Sequence, residues 1–152
     1  MLEVIIDILK LLVAVGVGTI IGYEREESGK PAGKRTLSLV CVGSTYLALL
    51  TVKYIPNDTG RVLAGLITGI GFLGAGVIMA HGYNVKGLTT AAAIWAVSIV
   101  GMGIGIGEYL LSILVTIAIY LILIERRIKA DIERVGERMR KRTKSSSFAR
   151  LR

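Results

Sequence analysis

Cysteine and histidine are almost absent from this sequence, and each occurs once, as Cys41 and His81. A single cysteine cannot form a disulfide within the chain, and one cysteine with one histidine does not make a zinc-binding box. The sequence also lacks a Ser/His/acid set, a metal-hydrolase motif and a phosphate-binding Walker loop. These absences exclude the common catalytic centres, so we expect a protein that is not an enzyme and has no catalytic residue.

Polar residues are also scarce, since 53% of the chain is hydrophobic and its mean hydropathy is +0.64. A bilayer core about 30 Å thick takes about 20 helical residues to cross. Five apolar runs are close to that length: 4–23, 36–55, 62–80, 88–107 and the shorter 109–124. The glycines between 101 and 107 provide the break between the last two runs, because glycine weakens a helix and tolerates a turn. The sequence therefore predicts an all-α transmembrane bundle of about five spans.

Positive charge is concentrated at the end of the chain. Residues 125–152 carry eleven Lys or Arg against four acids, a net +7, whereas residues 1–124 sum to +1. A basic segment directly after an apolar run is typical of a cytoplasmic end or a contact with anionic lipid, rather than of nucleic-acid binding. We therefore predict two regions, a transmembrane domain over 1–124 and a basic cytoplasmic tail over 125–152. Five spans and a cytoplasmic tail together place the N-terminus outside. The tail is predicted to begin as an amphipathic helix and to be disordered from Ser145 onward.

Glycines are clustered in the third apolar run. Gly69, Gly71 and Gly74 match the pattern G-x-G-x-x-G, but an apolar run surrounds them and no acid follows about 20 residues later, so a dinucleotide site is excluded. Small residues at such spacing typically let transmembrane helices pack closely. The predicted packing glycines are Gly65, Gly69, Gly71, Gly74 and Gly76. A loosened helix, whose free carbonyls line a polar site with Thr68, is the alternative.

Charged residues flank the first two runs. The first run ends with Glu24, Arg25, Glu26 and Glu27, and the second begins with Lys34, Arg35 and Thr36, so both groups are expected to meet at the cytoplasmic face. They form either an ion-pair network or a site for a hard cation such as Mg²⁺, which prefers oxygen ligands.

Two further charges lie inside the first run. Asp7 and Lys10 are three residues apart and could pair on one helix face. Alternatively, Asp7 lies in the outer interface and Lys10 extends its side chain toward that interface.

Five short segments together resemble the MgtC/SapB/YhiD membrane family. They are 22–26, 33–36, 58–61, 69–78 and 87–95, and the resemblance covers about residues 10 to 110. The polar positions that match the family pattern are Glu24, Arg25, Glu26, Arg35, Thr36, Asp58, Arg61, Thr68, Thr89 and Thr90. Many family members carry a soluble C-terminal domain of ACT type. Here only a short basic tail follows the apolar runs, so we expect this chain to be the membrane domain alone.

The resemblance implies a multi-pass protein of the cell membrane that is linked to Mg²⁺ homeostasis and to growth when Mg²⁺ is scarce. Some relatives resemble virulence factors that act on other membrane complexes, including the ATP synthase. The resemblance leaves two functions open. The chain is either a regulator or interaction module of another membrane complex, or it conducts Mg²⁺ or another ion. Glu24, Glu26 and Asp58 are the expected metal ligands, and Mg²⁺ is the expected cofactor if there is one. The expected partners are the lipid bilayer, further copies of the chain and a membrane protein complex. A dimer is the first expectation for the homo-oligomer.

Overall fold

A computed structural model of the protein describes residues 1–81 and 84–125. Within these residues five helices follow one another: α1 (Leu2–Glu27), α2 (Lys34–Tyr54), α3 (Thr59–Ala75), α4 (Leu88–Ile106) and α5 (Tyr109–Glu125). A short 3₁₀ turn, Pro56–Asp58, precedes α3, and two strands, β1 (Met79–His81) and β2 (Asn84–Lys86), lie between α3 and α4. The chain divides after Tyr120 into two units, Met1–Tyr120 and Leu121–Arg152. The packing described below is that of the first unit.

The all-α bundle predicted from the sequence is confirmed. In the described part of the chain, α1, α2 and α4 are long and apolar enough to cross a membrane, whereas α3 and α5 have 17 residues each. The five-span count, the orientation and the two-region division stay predictions. The expected tail helix and disordered end lie outside the described residues.

The junction between α4 and α5 is at one glycine. Gly107 has a φ of +103°, a conformation that glycine adopts without steric cost, and it ends α4. Gly101, Gly103 and Gly105 instead lie within α4 and continue its helical backbone. The predicted break therefore exists, but only at the last of the four glycines.

A β-hairpin replaces the end of the predicted third span. The third apolar run was expected to stay helical to Ala80, but α3 ends at Ala75, and Ala80 pairs with Val85 across the two antiparallel strands. Gly87 then leads into α4 with a φ of +88°, and a side chain there would collide with the carbonyl oxygen of Val77. This tight turn brings the end of α3 to the start of α4, which pack against each other.

The centre of the bundle is α2, which packs against α1, α3 and α4. Its buried side chains are small or aliphatic, among them Leu37, Cys41 and Ala48. The start of α2 lies beside the last turns of α1, because the backbones of Lys34 and Gly22 touch. We call this the Glu24 end of the bundle and the opposite one the Asp58 end. They are about 30 Å apart, the length of α2 at 1.5 Å per residue.

Candidate functional site

A buried ion pair occupies the Glu24 end. The Glu24 and Arg25 side chains are 1% and 4% exposed, and two parallel hydrogen bonds join them. Arg25 Nε donates to Glu24 Oε2 at 2.5 Å, and its Nη2 donates to Oε1 at 2.8 Å. The Ser28 hydroxyl donates a third bond to Oε1 at 2.7 Å. A buried charge is strongly unfavourable unless it is paired and hydrogen-bonded, and this bidentate geometry satisfies both conditions.

A second, exposed ion pair links α1 to α2 at the same end. Glu26 Oε2 lies 3.6 Å from Lys34 Nζ and accepts a long hydrogen bond, 3.4 Å, from the Lys34 backbone nitrogen. Lys34 also lies over the ring of Tyr23, 5.4 Å from its centre. The charged residues at the end of the first apolar run and at the start of the second therefore meet, as the sequence predicts. Arg35 and Thr36 are exposed instead.

Glycine pairs set the distance between α2 and the two helices beside it, α1 and α4. We call α1, α2 and α4 the three central helices. A β-carbon at Gly22 would lie 2.5 Å from the α-carbon of Lys34, and one at Gly18 would collide with Ser38. In α4, a β-carbon at Gly101 would lie 2.5 Å from the Cys41 carbonyl oxygen. Backbones this close leave no room for a side chain, so the G-x-x-x-G spacing of α1 and of α4 brings both helices into direct contact with α2.

Buried hydroxyls connect α2 to α4 beside these glycines. The Ser44 hydroxyl donates to the Ser98 hydroxyl at 3.2 Å, and Thr45 donates to the Gly101 carbonyl oxygen at 2.9 Å. All three side chains are at most 1% exposed. Sequence reasoning did not identify them, although small polar residues at helical spacing in otherwise apolar runs, such as Ser98 beside Gly101, were a usable signal.

Asp7 and Lys10 bind different partners near the Asp58 end. Asp7 Oδ2 accepts a hydrogen bond from Lys53 Nζ at 2.5 Å, and Glu3 lies 3.7 Å from the same nitrogen. Lys10 Nζ donates to the Gly105 carbonyl oxygen at 3.0 Å and lies over the ring of Tyr109, 5.8 Å from its centre. Asp7 and Lys10 therefore do not form the pair that their spacing allows, and each binds a residue of another helix.

The remaining matched polar residues are divided among several places. Thr89 and Thr90 start α4 at the Glu24 end, where Thr90 is 1% exposed. At the opposite end Asp58 lies 3.4 Å from Arg61. Thr68 lies between the ends on α3, and its hydroxyl donates to the Ala64 carbonyl oxygen of its own helix at 3.0 Å. The structure therefore does not gather these residues into one cluster.

The predicted metal ligands are likewise separated. Glu24 and Asp58 lie at opposite ends of α2, about 30 Å apart, so one ion cannot bind both. Within 1–81 and 84–125, no three His, Cys, Asp or Glu side chains come close enough to hold a metal ion together. Metal binding by Glu24, Glu26 or Asp58 stays a prediction.

The predicted packing glycines of α3 have different environments. Gly74 lies against Ala91 of α4, where a β-carbon would be 3.5 Å from the alanine side chain. Gly76 caps α3, close to the Leu73 carbonyl oxygen. A β-carbon at Gly65, Gly69 or Gly71 would have no atom of the described chain within 4 Å. The helix is regular through these positions, without the unwinding that a carbonyl-lined site requires.

An apolar groove runs beside Gly74, between α3 and α4. Its volume is about 310 Å³, and its walls include Gly71, Gly74, Ala75, Ala91, Ala92 and Trp95. Trp95 is 46% exposed. The groove can accept an apolar group, but its walls supply almost no polar atom for an ion.

Comparisons with known proteins agree with one another. The model of the MgtC family matches residues 11–131. Protein MgtC of Salmonella typhimurium (strain LT2) is 43% identical over 112 residues, which are 74% of this chain and 48% of that protein. The protein of Escherichia coli K12 named "Putative magnesium transporter YhiD" is 38% identical over 125 residues, 76% of this chain and 58% of that one.

An uncharacterized protein of Haemophilus influenzae is 36% identical over 149 residues, and the match covers 61% of its length. The chain thus spans about half to three fifths of the length of the curated relatives it matches. No solved structure is significantly similar to it.

Proposed function

The chain belongs to the MgtC family of multi-pass membrane proteins, and on that premise we propose that it acts in Mg²⁺ homeostasis as a regulatory or interaction module of another membrane complex. Mg²⁺ enters this proposal through a relative, the protein of Escherichia coli that is named for magnesium transport. We also propose that the chain works as a homo-oligomer, first of all a dimer.

The buried Glu24–Arg25 pair is the observation that carries the regulatory function. A transport site for Mg²⁺ needs oxygen ligands that can exchange with water and with the ion. Both oxygens of the Glu24 carboxylate instead accept hydrogen bonds from Arg25 or Ser28. Arg25 also places a positive charge within 2.5 Å of the carboxylate, and that charge repels a cation. The pair therefore supports a fixed structural unit at this end of the bundle.

The interior between the two ends favours the same function. The hydroxyls of Ser44, Ser98 and Thr45 bind one another or backbone carbonyls. Within the described ranges, no buried side-chain nitrogen or oxygen lacks a hydrogen-bond partner. An ion that crossed here would have to break these contacts, so the central helices are better suited to present a rigid surface than to carry a cation.

Conduction of Mg²⁺ is the second function, and the name of the Escherichia coli relative favours it. It would use Glu26 and Asp58, the exposed carboxylates at the two ends, as entry and exit ligands, with Thr68 between them. This route requires the helices to separate from the arrangement described above.

Two measurements on the same protein distinguish these functions. The first is Mg²⁺ uptake into vesicles that contain the purified chain, and the second is growth of a bacterial host that expresses it in Mg²⁺-limited medium. A regulator gives a growth effect in cells and no uptake in vesicles of folded protein. Glu24→Gln should weaken the growth effect, whereas Lys30→Gln, which changes an exposed charge just after the same helix, should leave it unchanged. Uptake that Glu26→Gln or Asp58→Asn abolishes would establish the conductor instead.

A further inference from the structure

One face of α3 consists of small, exposed residues. Ala64, Thr68, Gly71 and Ala75 recur at intervals of four, three and four residues, and all are exposed. Residues at these intervals lie on one face of a helix. We call these four residues the α3 face. Small side chains at this spacing let a second helix approach closely in a membrane.

The two sides of the α3 face have opposite shapes. On one side Phe72 projects outward with 81% of its surface exposed, the largest exposed fraction among the aromatic side chains of the described chain. On the other side lies the apolar groove, whose walls include Gly71, Ala75 and, across from them, Ala92. Phe72 lies between Gly71 and Ala75 along the helix, so the projection and the groove are at the same depth in the membrane.

Two-fold symmetry makes such a surface complementary to itself. When two copies meet through the same face about an axis parallel to their helices, the left side of one copy opposes the right side of the other. The Phe72 ring of each copy is then opposite the groove of its partner. A cavity of about 150 Å³ accommodates benzene, so a groove of about 310 Å³ has room for a phenyl ring.

We propose that two copies of this chain dimerise through the α3 face, with Phe72 of each copy inserted into the groove between α3 and α4 of the other. The charges at the Asp58 end fit this arrangement. Asp58 and Arg61 are 49% and 85% exposed, and both lie next to the face. Each copy therefore brings one acid and one base, so two copies meet at this end without excess charge.

The other glycine pairs of the chain do not offer such a surface. Gly18 and Gly22 are occupied by α2, and so are Gly101 and Gly105. On the α3 face, by contrast, an added β-carbon at Gly71 would have open space around it. A second copy suits the α3 face better than lipid does, because the face carries both the projection and the groove that receives it.

Crosslinking between differently tagged copies tests this arrangement directly. In a Cys41→Ala background, one copy carries Phe72→Cys and the other carries Ala92→Cys, and both are placed in the same vesicles. Oxidation should produce a heterodimer that contains both tags. The matched control replaces Phe72→Cys by Leu39→Cys, which puts the thiol at a side chain of α2 that is 74% exposed. A control crosslink as efficient as the test crosslink would overturn the proposal.

The second test measures how strongly two copies associate. Energy transfer between labelled copies is followed as the lipid-to-protein ratio of the vesicles increases. Phe72→Ala and Ala92→Phe, which remove the projection and fill the groove, should each raise the dimer dissociation constant about tenfold, and Leu39→Ala should leave it unchanged. A wild-type chain that stays monomeric at all ratios would refute the proposal and leave the groove to lipid or to another protein. Because association is measured on purified protein in vesicles, the result is independent of the Mg²⁺ function proposed above.

Discussion

Gly105 lies so close to Thr45 that a β-carbon on the glycine would be 2.5 Å from the Thr45 carbonyl oxygen. The same added atom would be 2.7 Å from the side chain of Ala48. This contact fixes the distance between α2 and α4 beside the hydroxyl of Thr45, which donates to the neighbouring Gly101 carbonyl.

We therefore expect Gly105→Ala to destabilise the bundle by about 1–3 kcal/mol, the usual range when a methyl group is forced into a packed interior. Reversible unfolding in detergent would measure the change in the free energy of unfolding. Gly43→Ala in α2 is the control, because a β-carbon there meets no atom within 4 Å. That control should be neutral or slightly stabilising, since alanine is a better helix former than glycine. Equal losses in both variants would show that α2 and α4 are not in contact at Gly105.

The Glu24–Arg25 pair provides a second prediction. Removing one partner of a buried ion pair typically costs about 3–5 kcal/mol, because the other charge is left uncompensated. Arg25→Met should therefore destabilise the protein strongly, and the double variant Glu24→Leu with Arg25→Met should be more stable than Arg25→Met alone. Unfolding of the wild type, the two single variants and the double variant forms a double-mutant cycle. The cycle should show strong coupling, and strictly additive losses would contradict the pairing.

The exposed Glu26–Lys34 pair gives the matching control for that cycle. Its side chains are 54% and 42% exposed, and exposed ion pairs contribute about 0–1 kcal/mol. Glu26→Gln should therefore change stability far less than Arg25→Met, although both alter one ion pair at the same end of the bundle.

Thr45→Val tests the polar contact between α2 and α4 without changing the volume of the side chain. The variant loses the hydrogen bond to the Gly101 carbonyl oxygen, and hydrogen bonds between membrane helices contribute about 0.6–2 kcal/mol. We expect a loss of that size in the free energy of unfolding. Thr36→Val alters an exposed threonine of the same helix and should have little effect. A Thr45→Val protein as stable as the wild type would mean that this bond contributes nothing.

The contact between Lys10 and Gly105 predicts a local effect. A cation near the last turn of a helix interacts favourably with its dipole, and Lys10 Nζ supplies that charge to the end of α4. In Lys10→Met, the backbone amides of the last turn of α4 should exchange with solvent faster than in the wild type. Hydrogen exchange measured by mass spectrometry would detect the change. Exchange in the first turn of α4 should stay unchanged, which separates the local effect from global destabilisation.

Helix positions could be predicted from the sequence because apolar runs and their lengths determine them. The expected start of the fourth run and the junction between the last two runs agree with the start of α4 and with Gly107. The β-hairpin could not be predicted, because Ile78, Met79 and Ala80 are apolar and continue the hydropathy of α3. The pairing of the two strands, and the positive φ of Gly87 beside the Val77 carbonyl, are features that hydropathy does not report.

The site was predictable only where partners are close in sequence. The meeting of Glu26 with Lys34 follows from the short loop between α1 and α2, so the sequence could predict it. The partners of Asp7 and Lys10 belong to α2 and α4, more than 40 and 90 residues away, and spacing along α1 carries no information about them. Gly101 and Gly105 were interpreted as a break because glycine weakens helices in isolation, whereas here they allow backbone contact that a larger residue would prevent.

The glycine contacts of α2 also limit how the sequence of this bundle can change over evolutionary time. At Gly18, Gly22, Gly101 and Gly105 backbone touches backbone, so no single substitution by a larger residue is accommodated without moving a helix. A compensating change on the opposite helix cannot help, because the atoms in the way belong to the main chain. New specificity in such a protein therefore has to arise at positions that face outward, on α3, the hairpin and the outer sides of α1 and α5, while the three central helices keep their spacing.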